Sequence, residues 1–473
     1  MNQKDPLPQI ELNDHHGTRC AGQIAATANN GVCGVGVAYE SKVSGIRMLS
    51  LPVSSEQEAN AILYENQKNH IYSCSWGPAD NGIVMDGPDK LVTSAFVEGI
   101  SNGREGKGNI FVFPSGNGYN TDNCNFDGYA NSVFTLTIGA LGYDLKIPSY
   151  AEECVAKLGV AFSSNDEKKI TTTDVQDKCT DQHGGTSAAA PLASGIFALI
   201  LSNRPDLGWR DLMYLIVEFA VKINSDDGSW IQNGAKKLYS SNYGFGMLDA
   251  FILVEASKSW NKVGPFVVAS SRAKFVEENI PSGVGLSSSI QISTETVSNL
   301  KMLEQVTVKI NLKHDSRGDI EIYLESPSGT LIQLATQRPN EKSVDGYRNW
   351  SLMTVAYWGE DPVGEWKLIV SDNVNPNLTG RLISWSLAFW GEGLQNTDSE
   401  TFIESYFAKH EEEFVKVENQ FFFVVGIVSF VLFPVVLTIF AVLHRKKIRY
   451  SKMEPDLFEM IDEDIEKDLE DEK

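Results

Sequence analysis

The sequence predicts an α/β domain, then an all-β domain, then one transmembrane helix, along a chain of 473 residues. Before Gly264-Pro265, short apolar runs alternate with longer helical stretches, a pattern typical of a mostly parallel sheet with flanking helices. After it, short alternating runs separated by Gly, Pro and Asn indicate a β-sandwich, jelly roll or barrel. Residues 421–443 are an uncharged apolar run of 23 residues, long enough to span a bilayer core as a helix.

The first domain, residues 1–264, should contain both strands and helices. We expect strands at 43–48, 110–113 and 132–138, and helices at 56–69, 91–101, 188–201 and 209–221. The second domain, residues 265–393, should contain strands at 306–312, 319–324, 366–370 and 382–390. The sequence Arg317-Gly318-Asp319 could be an adhesion motif, but we interpret it as a turn leading into a strand.

The remaining segments are interpreted from their charge. An acidic stalk at 394–420 precedes the apolar run, and an acidic tail at 444–473 follows it. Basic residues cluster directly after the run, at 444–449, so the positive-inside rule places the C-terminus in the cytosol. We therefore expect a single-pass type I protein.

The overall charge restricts the class of partner. The formal net charge is −22, from 62 acidic and 40 basic residues. A chain this acidic would be repelled by phosphates, which argues against nucleic acid and favours cations and basic peptides. Six cysteines without a CxxC pair suggest neither a zinc site nor a disulfide scaffold.

Ser187 is the first candidate for chemistry, because it lies in HGGTSAAAP at 183–191, ahead of an apolar helical stretch. Small neighbours let a substrate approach closely, and a serine at the head of a helix has backbone N–H groups beside it. The alternative is a tight loop-to-helix junction without chemistry.

His16 and Asn117 make the chemical interpretation stronger. His16 lies in HHGTRCAG at 15–22, and a serine hydroxyl needs a neighbouring base, usually histidine. Asn117 lies in SGNG at 115–118, at the end of a predicted strand, where its amide could stabilise an oxyanion. A lone histidine is more often structural and SGNG could be a simple turn, but the three junctions together favour a serine hydrolase.

These motifs, with SWGPADNG at 75–82, resemble the kexin and furin group of subtilisin-like proprotein convertases, over about Asp5 to Glu392. The resemblance implies a subtilisin-like α/β domain lacking its N-terminal part, followed by a P domain. His16 then matches the general base, Ser187 the nucleophile and Asn117 the oxyanion donor. The implied activity is calcium-dependent cleavage of secretory precursors after Lys-Arg or Arg-Arg. An ester hydrolase of the α/β-hydrolase type would instead show GxSxG and a histidine after the serine.

The resemblance also implies carboxylates that bind the substrate's basic side chains. Asp80 and Asp127 match the pocket for the residue just before the cut, and Asp14 matches part of the next pocket. Glu58 and Asp86 match acids that contact a residue further upstream. Carboxylates suit this task because a guanidinium pairs with them through two parallel hydrogen bonds.

Calcium is the implied cofactor. One family site matches Asp80, Asp122 and Glu152, and part of another matches Asn30 with the carbonyls of Thr27, Val32 and Gly34. Calcium takes several oxygen ligands, both carboxylates and carbonyls. In the family the second site also uses acids from an upstream segment, so we expect it to be incomplete here.

Further features implied by the resemblance concern the secretory pathway. It pairs Cys33 with Cys179 and Cys124 with Cys154, leaving Cys20 and Cys74 free. Two disulfides suit an oxidising compartment, and the sequons at Asn349 and Asn377 are candidate glycosylation sites. We expect a monomer of the trans-Golgi network or late secretory membrane.

The catalytic acid is the residue that the sequence does not supply. A serine–histidine pair needs a third group to fix the histidine tautomer, and in the subtilisin order that acid precedes the histidine. Only Asp5, Glu11 and Asp14 precede His16, and none matches the role. We expect the acid in an upstream part of a longer gene product. The alternative is an inactive, truncated homologue that binds basic peptides at the membrane.

Overall fold

The structure, a computed structural model, describes residues 6–394 apart from 10, 11, 13, 50, 51, 282 and 376. The predicted stalk, the predicted transmembrane run and the tail lie outside the described residues. The described helices are α1 (His16–Ala25), α2 (Ser55–Ile62), α3 (Lys90–Gly106), α4 (Thr186–Asn203), α5 (Trp209–Phe219) and α6 (Ala250–Lys258).

The first domain is built on a parallel sheet, as predicted. Its strands are β1 (Ile71–Ser73), β2 (Ile110–Pro114), β3 (Leu136–Leu141) and β4 (Gly159–Phe162), hydrogen-bonded in that order. The strands β2 and β3 are buried along their whole length, which is why they are continuous apolar runs rather than alternating ones. The helix α4 packs across all four strands.

Two short antiparallel pairs complete this domain. They are formed by β5 (Ile170–Asp174) with β6 (Lys178–His183), and by β7 (Ile231–Gln232) with β8 (Leu238–Tyr239). Since β6 ends at His183, the first pair leads directly into the glycines before α4 and thereby places Ser187.

The predicted strand at 43–48 is wrong. These residues lie in irregular structure, and Val43 and Ile46 are exposed. A strand of a parallel sheet exists only where a neighbour supplies its hydrogen bonds. In the sheet as described, β1 is an edge strand of three residues, and no described strand lies beside it to pair with 43–48. The residues of this run are compatible with a strand, but their pattern alone does not show whether strand pairing forms.

Two predicted boundaries also shift. The helix expected at 56–69 ends at Ile62, and turns occupy the following residues. It begins where expected because Ser54 and Gln57 form a reciprocal capping box. The strand expected from 132 begins at Leu136, after a turn that includes Ser132.

The second domain contains the two antiparallel sheets of a β-sandwich. The strands are β9 (Phe266–Ser270), β10 (Lys274–Asn279), β11 (Leu286–Ile292), β12 (Leu300–His314), β13 (Ile320–Glu325), β14 (Leu331–Ala335), β15 (Tyr347–Thr354), β16 (Gly364–Asp372) and β17 (Gly380–Gly393). One sheet has the order β10-β17-β12-β15 with β9 also paired to β17, and the other has the order β11-β16-β13-β14. Trp366 of β16 packs 5.3 Å from Phe389 of β17, centroid to centroid, so the two inner faces meet.

Several smaller expectations can be compared with the structure. The two disulfides join the expected cysteines, and Cys20 and Cys74 are free and buried. Residues 317–319 form a buried turn before β13, as interpreted, because Arg317 pairs with Glu341 and Asp319 with Lys342. Within the described residues, only α4 is long and apolar enough to cross a membrane, and most of it is buried in the core.

Candidate active site

Ser187 and Asn117 come together at the start of α4. Gly185 precedes the helix with φ of +74°, a conformation that favours glycine. Asn117 Oδ1 accepts hydrogen bonds from the backbone N–H and the hydroxyl of Thr186, at 2.8 and 3.0 Å. Ser187 is half-buried, and its carbonyl accepts from Ser75 Oγ at 2.9 Å. The turn after β2 is therefore fixed against the helix that carries the candidate nucleophile.

His16 joins this group through a buried thiol. Cys20 Sγ lies 3.8 Å from His16 Nδ1, 3.7 Å from His183 Nε2 and 3.5 Å from the carbonyl of Ser187. The two imidazole rings are 5.4 Å apart, edge to face. The structure thus gathers the three predicted junctions, although no hydrogen bond joins the His16 and Ser187 side chains in the described part of the chain.

The protonation states suit a neutral base. Desolvation, and then the charges of His15 and Arg19, lower the pKa of His16. The pKa of His183 falls to about 4, chiefly through burial. Burial also raises the pKa of Cys20 to about 11, so this thiol stays protonated at neutral pH and is not a nucleophile. His16 is consequently free to accept a proton near pH 7.

The Asn117 amide is held by a carboxylate. Its Nδ2 donates to Asp80 Oδ2 at 3.1 Å, and its backbone N–H donates to the same oxygen at 2.8 Å. An oxyanion would have to share or displace this hydrogen bond. Asp80 therefore orients the residue predicted to stabilise the oxyanion, a connection that the sequence did not indicate.

Asp80, Asp122 and Glu152 form an acidic cluster beside this turn. Gly82 N donates to Asp122 at 2.7 Å, and Gly118 N donates to Glu152 at 2.8 Å. Burial raises the pKa of Asp80 and raises that of Glu152 well above its usual range, and the charge of Asp122 adds to both shifts. Crowding of like charges in a buried place is costly unless a cation relieves it.

This cluster fits a divalent cation in its chemistry. Asp122 pairs with Arg338, whereas Asp80 and Glu152 have no cationic side-chain partner among the described residues. A bound ion would offset the repulsion that raises their pKa values. However, within the described ranges no three His, Cys, Asp or Glu side chains converge into a coordination shell.

The second candidate metal site is an exposed loop after α1. Thr27, Asn30, Val32 and Gly34 are all exposed there, and Asn30 Oδ1 accepts a hydrogen bond from Val32 N at 2.9 Å. This bond is typical of a simple Asx turn.

The two carboxylate oxygens of Asp127 have different surroundings. Tyr129 N and Ala130 N donate to its Oδ1, at 2.8 and 3.3 Å. Its Oδ2 points toward Gly77, where an added Cβ would lie only 2.7 Å away. Burial, with smaller contributions from Asp80 and Asp122, raises the pKa of Asp127 to about 7. This is a carboxylate that a cationic side chain would stabilise.

Two more of the predicted acids surround the same tyrosine. Tyr129 donates its hydroxyl hydrogen bond to Glu58 at 2.6 Å, and burial raises the pKa of Glu58. Asp86 forms a parallel backbone bridge with Asp127. The structure therefore brings Glu58, Asp86 and Asp127 to one acidic surface.

Asp14 is placed differently from the other acids. It precedes His16 by two residues, and its Oδ2 accepts a hydrogen bond from Gln9 N at 3.3 Å. Its expected contact with a second basic residue of the substrate comes from the family resemblance.

One buried lysine beside the acidic cluster was not predicted from the sequence. Lys157 is fully buried, and its Nζ donates to the carbonyls of Glu152, Ser241 and Asn242, at 3.1, 3.2 and 2.9 Å. Desolvation lowers its pKa to about 8. It fixes the backbone of Glu152, but no motif or spacing marks it.

Gly77→Ala is expected to block the binding of a basic side chain. The new methyl would meet Asp127 Oδ2 at 2.7 Å, and two backbone N–H groups prevent that carboxylate from moving away. We expect the affinity for an aromatic amidine to fall by about tenfold or more. Fluorescence titration with 4-aminobenzamidine measures this, with Gly17→Ala as the control because a methyl there has nothing within 4 Å. Equal affinities in both variants would place the basic pocket elsewhere.

Comparison with known proteins identifies the families of both domains. Residues 1–246 match the Subtilase family profile, and residues 303–389 match the proprotein convertase P-domain profile. The dibasic-processing endoprotease of Yarrowia lipolytica is 46% identical over 403 residues, covering 83% of this chain and 41% of that protein. Kexin of Saccharomyces cerevisiae is 42% identical over 425 residues, covering 87% and 51%. The chain spans about half the length of the curated relatives it matches.

A solved structure supports the same fold. The crystal structure of a serine protease of Aeromonas sobria aligns with a TM-score of 0.70 at 21% identity, covering 82% of each chain. At that identity the likeness concerns the fold alone.

Proposed function

We propose that this chain, which belongs to the subtilase family and is similar to kexin, is a calcium-dependent serine endopeptidase. Its substrates would be secretory precursor proteins, cut after Lys-Arg or Arg-Arg. The observation that carries this proposal is the joint placement of His16, Asn117 and Ser187 next to acids that face a common surface. Partly buried carboxylates without cationic partners are electrostatically costly, and such groups cluster at functional sites.

The reaction would follow the serine mechanism. Neutral His16 takes the proton of the Ser187 hydroxyl while its oxygen attacks the scissile carbonyl, and later returns that proton to the leaving amine. Asn117 Nδ2, held by Asp80, donates to the oxyanion. The His16–Ser187 hydrogen bond is expected to form when substrate binds, since such bonds are often long without it.

Selectivity for basic residues would come from the acids. Asp80 and Asp127 face the side chain before the cut, Asp14 faces the next one, and Glu58 and Asp86 face one further upstream. Raised pKa values of Asp80, Asp127 and Glu58 mean that these carboxyls gain most from an incoming positive charge.

Calcium would be held by Asp80, Asp122 and Glu152, with Asn30 and nearby carbonyls contributing to a second site. Bound there, the ion supplies positive charge that keeps the acidic cluster ionised and compact. Asp80 would then connect the ion to Asn117 and to the basic pocket, which is our physical reason to expect calcium dependence.

The cellular setting is proposed on the same basis. We infer a monomeric, single-pass protein of the trans-Golgi network with its catalytic domain in the lumen. The disulfides Cys33–Cys179 and Cys124–Cys154 support an oxidising compartment. Asn349 and Asn377 are both exposed and suit glycosylation.

A second candidate function is favoured by one observation. In the described part of the chain no carboxylate accepts a hydrogen bond from His16, whose Nδ1 instead faces the Cys20 thiol. A chain in that state would be a tethered binder of basic peptides with little activity. The two functions share the acidic surface and differ only in turnover.

Cleavage of a Lys-Arg peptide separates the two functions. We expect turnover that a calcium chelator reduces and that Ser187→Ala lowers by about a hundredfold or more. Labelling of Ser187 by a fluorophosphonate, absent in Ser187→Ala, provides the control for a reactive serine. Peptide binding without cleavage or labelling would favour the binder, and cleavage that survives Ser187→Ala would contradict the mechanism.

A further inference from the structure

One arginine of the β-sandwich reaches deep into the first domain. Arg338 lies between β14 and β15 and is fully buried. Its Nη1 donates to Val84 O at 2.7 Å and to Asp122 Oδ1 at 3.2 Å. Its guanidinium also lies 3.8 Å from the centroid of the Phe126 ring.

The three groups that Arg338 touches belong to the segments that carry the acids. Val84 lies in the loop between Asp80 and Asp86, and Phe126 directly precedes Asp127. The Arg338 guanidinium therefore contacts all three acid-bearing segments, through Val84, Asp122 and Phe126. Its planar fork has five donors and can hold several acceptors in one geometry.

The β-sandwich fixes Arg338 from the other side. Glu341 Oε2 accepts from Arg338 Nη2 at 2.7 Å, and the same oxygen accepts from Arg317 Nη2 at 2.7 Å. Arg338 N donates to Gly318 O at 2.8 Å. Both Glu341 and the turn containing Gly318 are buried, so Arg338 has little freedom to follow a shift of the acids.

Burial of such a charge needs a reason other than stability. Taking an arginine out of water is costly, and well-packed apolar groups often stabilise a fold as well as a buried ion pair does. What apolar groups cannot do is fix the relative positions of a carbonyl, a carboxylate and a ring. The contacts of Arg338 point to a geometric role.

We infer that Arg338 is a positioning residue through which the β-sandwich sets the geometry of the pocket for basic side chains. The inference rests on the proposed function, because that function assigns the acids to substrate. The second domain is then part of the specificity apparatus as well as a support for the fold.

The test compares two arginines that share one partner. Arg338→Lys keeps the charge but cannot reach Val84, Asp122 and Glu341 together, whereas Arg317→Lys alters the same Glu341 pair without contacting the acid-bearing segments. The full chain is titrated with 4-aminobenzamidine at fixed calcium, and thermal midpoints are recorded. We expect about tenfold weaker binding for Arg338→Lys and less than about twofold for Arg317→Lys, at similar midpoints.

Three results would overturn the inference. Equal affinity of Arg338→Lys and the unsubstituted chain would show that the pocket does not depend on Arg338. An equal loss in both variants would show a general structural effect. Absence of binding by the unsubstituted chain would overturn the proposed function as well, which distinguishes the two failures. If Arg338→Lys does not fold, Phe126→Leu tests the same contact, and it must weaken binding while Arg317→Lys does not.

Discussion

Supplying His16 with a carboxylate partner is expected to raise the hydrolysis of a Lys-Arg peptide by about four orders of magnitude. Within the described residues His16 Nδ1 lies 3.8 Å from the Cys20 thiol, which remains protonated because its pKa is raised to about 11. Among the described residues, no carboxylate accepts a hydrogen bond from His16 to stabilise the imidazolium that forms when His16 takes the serine proton. The depressed pKa of His16 agrees with this lack.

The described sheet offers a place for an engineered carboxylate. In the described sheet β1 pairs only with β2, and its other edge is open to a further parallel strand. Residues 43–48 are irregular and largely exposed, and Arg47 Nη1 donates to the carbonyl of Leu7 at 2.6 Å. An engineered strand that ends in aspartate would be designed to pair with the open edge of β1 and present its carboxylate to His16.

The experiment compares two extended chains that differ only in one side chain, a carboxylate in one and an amide in the other. One carries the added strand with a terminal Asp, and the other carries Asn at the same position. Both should gain thermal stability, but only the Asp version should gain turnover and show a raised pKa of His16 by NMR titration. Ser187→Ala should then cost about a millionfold instead of a hundredfold, because members of a triad act as a unit. Equal turnover with Asp and Asn would contradict the assignment of His16.

The sequence predicted the parts of the site that depend on local patterns. The strand β2 is a continuous apolar run that ends in SGNG, and Ser187 heads an apolar helix after two glycines. Each of these signals lies within about ten residues, so pattern and turn chemistry are enough. Local patterns supplied only three separate junctions, and the joint roles of His16, Asn117 and Ser187 came from the resemblance to the convertases.

Contacts between distant segments could not be predicted in this way. Arg338 and Asp122 are 216 residues apart, and Cys20 and His183 are 163 apart. Nothing in the composition around a lone arginine or cysteine reveals its partner, because burial is decided by tertiary packing. The failure at 43–48 has the same origin, since an apolar run is compatible with a strand whether or not a neighbour is present.

Asp127→Asn is expected to weaken the binding of 4-aminobenzamidine by about a hundredfold and at the same time to stabilise the fold at pH 8. The first effect follows because the pocket loses the charge that pairs with the ligand. The second follows from the pKa of Asp127, which is raised to about 7. The folded chain therefore holds this proton more tightly than the unfolded chain, whose aspartates titrate near 4.

The sign of the pH dependence follows from that difference. Between about pH 4 and pH 7 the unfolded state has released the proton and the folded state still holds it, so stability falls as the pH rises. Above pH 7 the ionised Asp127 is a full destabilising charge, and Asn removes that cost. Ligand affinity of the unsubstituted chain should rise across the same interval, because only the ionised carboxyl attracts the amidine.

Thermal midpoints and titrations at pH 5.5 and pH 8 check both effects in the same samples. Asp226→Asn, at an exposed position, is the control for the change in net charge and should alter neither quantity. The stabilisation by Asp127→Asn should be large at pH 8 and smaller at pH 5.5. A variant that binds the amidine normally would exclude Asp127 from the pocket. A variant that loses both binding and stability would show that the carboxylate supports the fold. A substrate-binding acid is instead expected to be retained at a cost to stability.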